Sequence, residues 1–190
     1  MTELVEALQR LETDLRGRGA LVVAHARPGL QPGRLQEVVE PFGLQPSNAL
    51  REWFGWHDGA GETGRTPSLE VELAPGCELL SAELLAGECR QARDVAQQLG
   101  ATPGMPWTAE QLWSSSWFPV LRLSGKGLVA LDLERDTVHV VWWDAPPEDR
   151  QRVRWSSPAA FVEHLASRYD EGVWVVGADG LVAGDTLDFP

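Results

Sequence analysis

Leu4, Leu8, Leu11 and Leu15 recur three and four residues apart, one apolar stripe that predicts a helix over 3–16. Thr2 is placed to cap it, and Gly17 and Gly19 to end it. Leu21–Ala26 is short and apolar and fits either a strand or a tight connection. Arg34–Glu40 reads as a short helix that stops at Pro41. Ser47 opens the next helix, with Leu50, Trp53, Phe54 and His57 as its inner stripe. Asp58-Gly59-Ala60-Gly61 closes it, with Gly59 or Gly61 free to turn left-handed. Glu62–Ser68 reads as a polar loop. Leu69–Leu73 alternates apolar and acidic residues, the period of a half-exposed strand. A longer helix follows over Ala82–Leu99, carried by Leu84, Leu85, Cys89, Ala92, Val95, Ala96 and Leu99. Thr108 and Gln111 have the spacing of a capping box, which predicts a short helix from Ala109.

The period then changes. Pro119–Leu123, Leu128–Leu133 and Val138–Trp143 are strand-length apolar runs separated by SGKG and ERDT. Such gaps suit tight reversals, so an antiparallel meander is expected. Ser156-Ser157-Pro158 is a strong helix start, and Phe161, Val162, Leu165 and Tyr169 supply that helix's stripe. The chain ends in a hairpin around Ala178-Asp179-Gly180 and an acidic tail. Together these elements predict an α+β fold: a mixed, mostly antiparallel sheet with a central meander, flanked by helices. No linker or repeat divides the 190 residues, so one domain over 1–190 is expected.

Composition narrows the function classes. Hydrophobic residues make up 43% of the chain, enough for one sizeable core. No apolar run reaches the ~20 residues of a membrane helix. The N-terminus carries acids where a signal peptide carries basic residues, so a cytoplasmic protein is expected. The net charge of −12 argues against direct nucleic-acid binding and permits a basic protein partner; charge of this size also serves solubility alone.

Candidate chemistry is sparse. Ser124–Gly127 resembles a phosphate loop only superficially, because Leu128 stands where Ser or Thr is required. His25, His57, His139 and His164 are scattered, and His57-Asp58 is the nearest approach to an acid–base pair. Cys77 and Cys89 read as small core residues, too few for a four-cysteine zinc site. No catalytic residue, metal or cofactor is expected.

The tryptophans are more informative, nine against one tyrosine. Most must be core, given roughly 200 Å² of surface each. Trp142 and Trp143 are consecutive on a strand and point to opposite faces. If one sheet face is open, one of them is half-exposed and suited to anchor a partner. A central strand covered on both faces would bury both. Trp142, Trp143 and Asp144 at the end of the third meander strand, with Trp56 and Asp58 at the end of the Ser47 helix, are the candidate partner-contact residues.

Three segments carry a family resemblance. They are Glu37-x-x-Glu40-x-Phe42-Gly43-x-x-Pro46 running into Leu50–His57 and Trp56-His57-Asp58-Gly59; Trp117-Phe118-Pro119-Val120 with the strands Gly127–Leu133 and Val138–Asp144; and Ser156-Ser157-Pro158-Ala159-Ala160-Phe161-x-x-x-Leu165. In order and spacing they resemble the SUKH superfamily, which includes Smi/Knr-type regulators and bacterial immunity proteins. The resemblance covers about 34–170 and leaves the helix over 3–16 and the hairpin and tail over 173–190 outside it. Gln45-Pro46 departs from the usual Leu-Pro, and the segment 60–116 is long. What the resemblance implies is a non-catalytic binding domain, most concretely an immunity protein that neutralises a cognate toxin, often a nuclease; the acidic net charge fits a basic toxin domain. A regulatory scaffold is the second reading and an enzyme with a site assembled in space the third.

Overall fold

The computed structural model describes residues 1–61, 67–124 and 126–185. Thr2 accepts from the Val5 N–H and starts α1 (Glu3–Gly17), whose four stripe leucines are all buried. The short apolar segment after it is a helical turn, α2 (Leu21–Ala24), and β1 (Ala26–Pro28) follows. α3 (Pro32–Val39) does not stop at Pro41. It tightens into a 3-10 turn over Glu40–Phe42, where proline sits in the first turn and its missing N–H is not needed.

Ser47 Oγ accepts from the Leu50 N–H and caps α4 (Asn48–Trp56). Leu50, Trp53 and Phe54 are buried as expected, but His57 leaves the stripe. It begins β2 (His57–Ala60), which pairs antiparallel with β1 in a small separate sheet. Gly59 is left-handed at φ 78°, and a Cβ there would stand 2.5 Å from the Ser81 nitrogen, so the close approach of two chain segments requires glycine.

The expected half-exposed strand over Leu69–Leu73 is replaced by α5 (Pro67–Glu70) and a short strand, β3 (Glu72–Ala74), turning into β4 (Cys77–Glu78). Glu70 and Glu72 are buried, while Leu69 is 44% exposed. Alternation assigns glutamate to solvent, but here partners receive it: Glu72 accepts from the Gly76 N–H, and Glu78 pairs with Arg122. Most of the expected loop over Glu62–Ser68 lies outside the described residues.

Ser81 caps α6 (Ala82–Gly100), and Thr108 with Gln111 forms the expected capping box on α7 (Ala109–Leu112). The meander follows as β5 (Trp117–Arg122), β6 (Gly127–Asp132) and β7 (Thr137–Trp142). Its register aligns Phe118, Leu131 and Val138 across the three strands. Asp136, at φ 51°, takes the left-handed position of the second turn. A short helix, α8 (Pro147–Gln151), and a further strand, β8 (Val153–Trp155), extend the sheet beyond the meander. α9 (Pro158–Asp170) and the hairpin β9 (Trp174–Val176) and β10 (Val182–Gly184) complete the chain.

The main sheet has the order β3-β4-β5-β6-β7-β8, and every pairing in it is antiparallel. The fold is thus α+β with helices flanking the sheet; no parallel pair occurs among the described residues. β6 is buried at every position, so both sheet faces are covered at its centre. α6 packs against β5, and α9 packs on β7 and β8. α1, which the family resemblance leaves outside, lies against α9 and α4 and is part of the one core. Among the described residues no helix is long and apolar enough to cross a membrane.

Candidate functional site

β7 ends at Trp142, and Trp143 begins the turn toward α8. Trp142 is half-buried against the core, whereas Trp143 is 40% exposed and Asp144 is exposed. Both sheet faces are therefore covered, and a tryptophan is still left in solvent because it lies one residue past the strand. The exposure is not looseness. The Trp143 N–H donates to the Lys126 carbonyl at 3.0 Å, and the Trp143 carbonyl accepts from Arg150 at 2.7 Å. Arg150 also donates to the Ala145 carbonyl at 2.8 Å. Its guanidinium is thus held on two carbonyl oxygens, and burial pulls its pKa below the ordinary value against the opposing field of Asp144.

Trp143 forms one wall of a groove of about 170 Å³ whose other walls come from α6, α7 and α8. α6 contributes Gln91, Ala92, Val95, Ala96 and Leu99, α7 contributes Leu112, and Trp113 and Arg150 complete it. The walls are held in place. Gln151 donates to the Glu110 and Gln111 carbonyls at the end of α7, tying α8 to α7. Trp113 packs edge-on against Trp117 at 5.7 Å, and Trp117 packs on His139 at 4.6 Å, which connects the groove floor to the meander. The Trp113 indole nitrogen is buried and has no hydrogen-bond partner among the described residues.

The other two candidate residues lie elsewhere. Trp56 Nε1 donates to Glu12 Oε2 at 2.8 Å, docking α4 onto α1. Asp58 Oδ1 accepts from the Ala82 N–H at 2.8 Å and so adds a second cap to α6. His57 Nδ1 lies 3.0 Å from the Arg27 carbonyl, and its Nε2 lies 3.4 Å from Glu12 without hydrogen-bond geometry. Burial pushes the Glu12 carboxyl up, but the Trp56 N–H, His57 and Arg16 outweigh it and leave the pKa below its ordinary value. Adjacent in sequence, His57 and Asp58 serve different joints of the fold.

The remaining polar candidates are also separate. His139 and His164 stack on Trp117 and Trp155, and burial pulls the pKa of each ring down. Cys77 and Cys89 are free and buried; burial pushes the Cys77 thiol well up and the Cys89 thiol to about 11. No group of three or more His, Cys, Asp or Glu that could hold a metal occurs among the described residues. A more voluminous hollow, about 1010 Å³, is an open surface along α1, lined by residues such as Gln9, Arg10 and Thr13. It offers none of the apolar enclosure of the Trp143 groove.

Sequence reasoning found Trp143 but missed the residues opposite it. The helical period puts Val95 and Leu99 in the one apolar pattern of α6 with Leu85 and Cys89, and nothing around Trp113 in the sequence sets it apart from the core tryptophans. One signal was legible: on a helical projection Leu84, Val95 and Leu99 fall together on one flank of the apolar arc, and Leu85, Cys89 and Ala96 on the other. No family model matches the chain, and no curated protein matches it.

Proposed function

We propose that this chain is a non-catalytic protein-binding module, of the immunity type, that neutralises a basic toxin domain. The observation that carries the reading is Trp143: a large aromatic, 40% exposed, with its backbone fixed at both N–H and carbonyl beside an apolar groove. Tryptophan is among the residues enriched at interface hot spots, and a backbone already fixed in the free protein lowers the ordering cost of using it. The net charge of −12 supports a cationic partner, which an acidic surface attracts over long range. The resemblance to the SUKH superfamily supports the same class, and a cytoplasmic location belongs with it.

The test has two stages. Affinity purification from native lysate, read by mass spectrometry, identifies the partner. Co-expression then asks whether that partner arrests growth alone and is harmless with this chain. Capture of several partners, none of them toxic, would remove the immunity reading and favour the scaffold.

A further inference from the structure

We infer that His57 is a proton-operated clasp: the charged ring holds α1 and the β1–β2 sheet together, and the neutral ring lets the sheet come away from α1. The inference does not depend on the binding function proposed above. It rests on what each ring nitrogen faces. Nδ1 lies 3.0 Å from the Arg27 main-chain carbonyl, which only accepts, so a hydrogen bond there needs the hydrogen on Nδ1. Nε2 lies 3.4 Å from Glu12 Oε2. That carboxylate also only accepts, since its pKa stays below the ordinary value despite burial. Nε2 itself is buried and has no hydrogen-bond partner among the described residues. A neutral imidazole has one N–H and one lone pair, so either neutral tautomer turns a lone pair onto an oxygen. Only the charged ring offers a donor on both sides, to Arg27 on β1 and to Glu12 on α1.

The surroundings suit a cation. The Trp56 ring lies 4.5 Å from the imidazole between centroids, within the range where an aromatic ring attracts positive charge. Glu12 is held in place, because Trp56 Nε1 donates to its Oε2 and Arg16 to its Oε1. Asp58 is turned away onto the Ala82 N–H, and Arg27 is exposed. His25, at the far end of the small sheet, gives its carbonyl to the Gly61 N–H. α1 keeps its buried leucines whatever the ring does, so the loosening falls on the sheet. β1 and β2 are only three and four residues long, and a two-stranded sheet of that size needs outside support.

Amide hydrogen exchange of the full chain is followed by NMR at about pH 5.5 and about pH 7.5, either side of the range in which imidazole ordinarily titrates. Each rate is divided by the intrinsic rate at that pH. The Gly61 N–H should be about two- to fivefold better protected at the lower pH, the size of a partly exposed ion pair. The Leu11 N–H, in the middle of α1, should gain no protection. Ring nitrogen shifts should show the neutral form keeping its one hydrogen on Nδ1. Glu12→Gln leaves an acceptor for Trp56 and adds an amide that can donate to a neutral Nε2. It should abolish the pH difference at Gly61 while leaving His139 and His164 as they are. Equal protection of Gly61 at both pH values, the same difference in Glu12→Gln, or a neutral ring with its hydrogen on Nε2 would overturn the inference.

Discussion

The two sides of α6 differ in a way that folding alone does not explain. On the inner side Leu85, Ala86, Cys89, Ala92 and Ala96 are buried, four of the five small. They let the helix backbone sit close to β5, near enough for Cys89 Sγ to approach the Trp117 carbonyl at 3.8 Å. On the outer side Leu84, Val95 and Leu99 are 55%, 45% and 37% exposed. The larger hydrophobes are outside and the smaller inside. Scattered exposed leucines need no explanation. Two of these three, however, share a groove with a pinned tryptophan. The inner side holds the fold together, and the outer side is available to something outside the chain.

The largest expected effect tests the inner side. Leu85→Ala removes the one large side chain of that row and should destabilise by about 2–5 kcal/mol in urea denaturation. A loss under about 1 kcal/mol would mean that α6 is not clamped on β5, and the two sides would no longer differ in kind.

Trp143→Ala should do the opposite. Against the identified partner it should cost about 2 kcal/mol or more, chiefly as a faster off-rate, with the melting temperature nearly unmoved. Raising salt should slow association more than it speeds dissociation, since only the acidic surface acts at a distance. A variant that unfolds would return Trp143 to the core. Unchanged affinity would place the interface elsewhere.

What was legible in the sequence follows the same division. The meander, the cap of α1, the capping box of α7 and the Ser157 cap of α9 depend on local chemistry, which neighbouring residues state directly. The β1–β2 sheet was not legible, because its two strands come from segments that read as a connection and a helix end. Glu70 and Glu72 were misplaced because their burial depends on partners supplied by folding. In the site, Trp143 was legible as half of a tryptophan pair. Trp113 was not, since its missing hydrogen-bond partner is a fact of packing alone.

The interior should also carry the pH dependence that the groove lacks. His139 is buried on Trp117, and burial holds its pKa below the ordinary value of 6.5. Below that ordinary value the unfolded chain takes up a proton that the folded ring resists, so stability should fall as pH drops through it. His164 is shifted in the same direction and adds to the effect. Melting curves from pH 7.5 down to about 5.5 should show the decline, and His139→Asn should flatten it relative to its own starting value. A slope identical in the variant would mean that His139 takes up protons as freely folded as unfolded.

The smallest effect is the sharpest test of the contrast, because it compares two positions on the same helix. Ala86→Val adds two methyl groups to the inner side, where the alanine is 7% exposed and does not line the groove. Overpacking of this kind costs about 1–3 kcal/mol. Val95→Ala removes the same two methyl groups from the outer side. It forfeits little burial at 45% exposure and gains helix propensity, since alanine is favoured over valine by up to about 0.6 kcal/mol in a helix interior. The two terms oppose, and the net change should stay within about 0.5 kcal/mol of zero. The same substitution should still weaken the partner, because it removes one wall of the groove. Folding that ignores Val95 while binding depends on it would identify the outer side of α6 as a surface kept for recognition. A destabilisation equal to that of Ala86→Val would show instead that both sides of the helix serve the core.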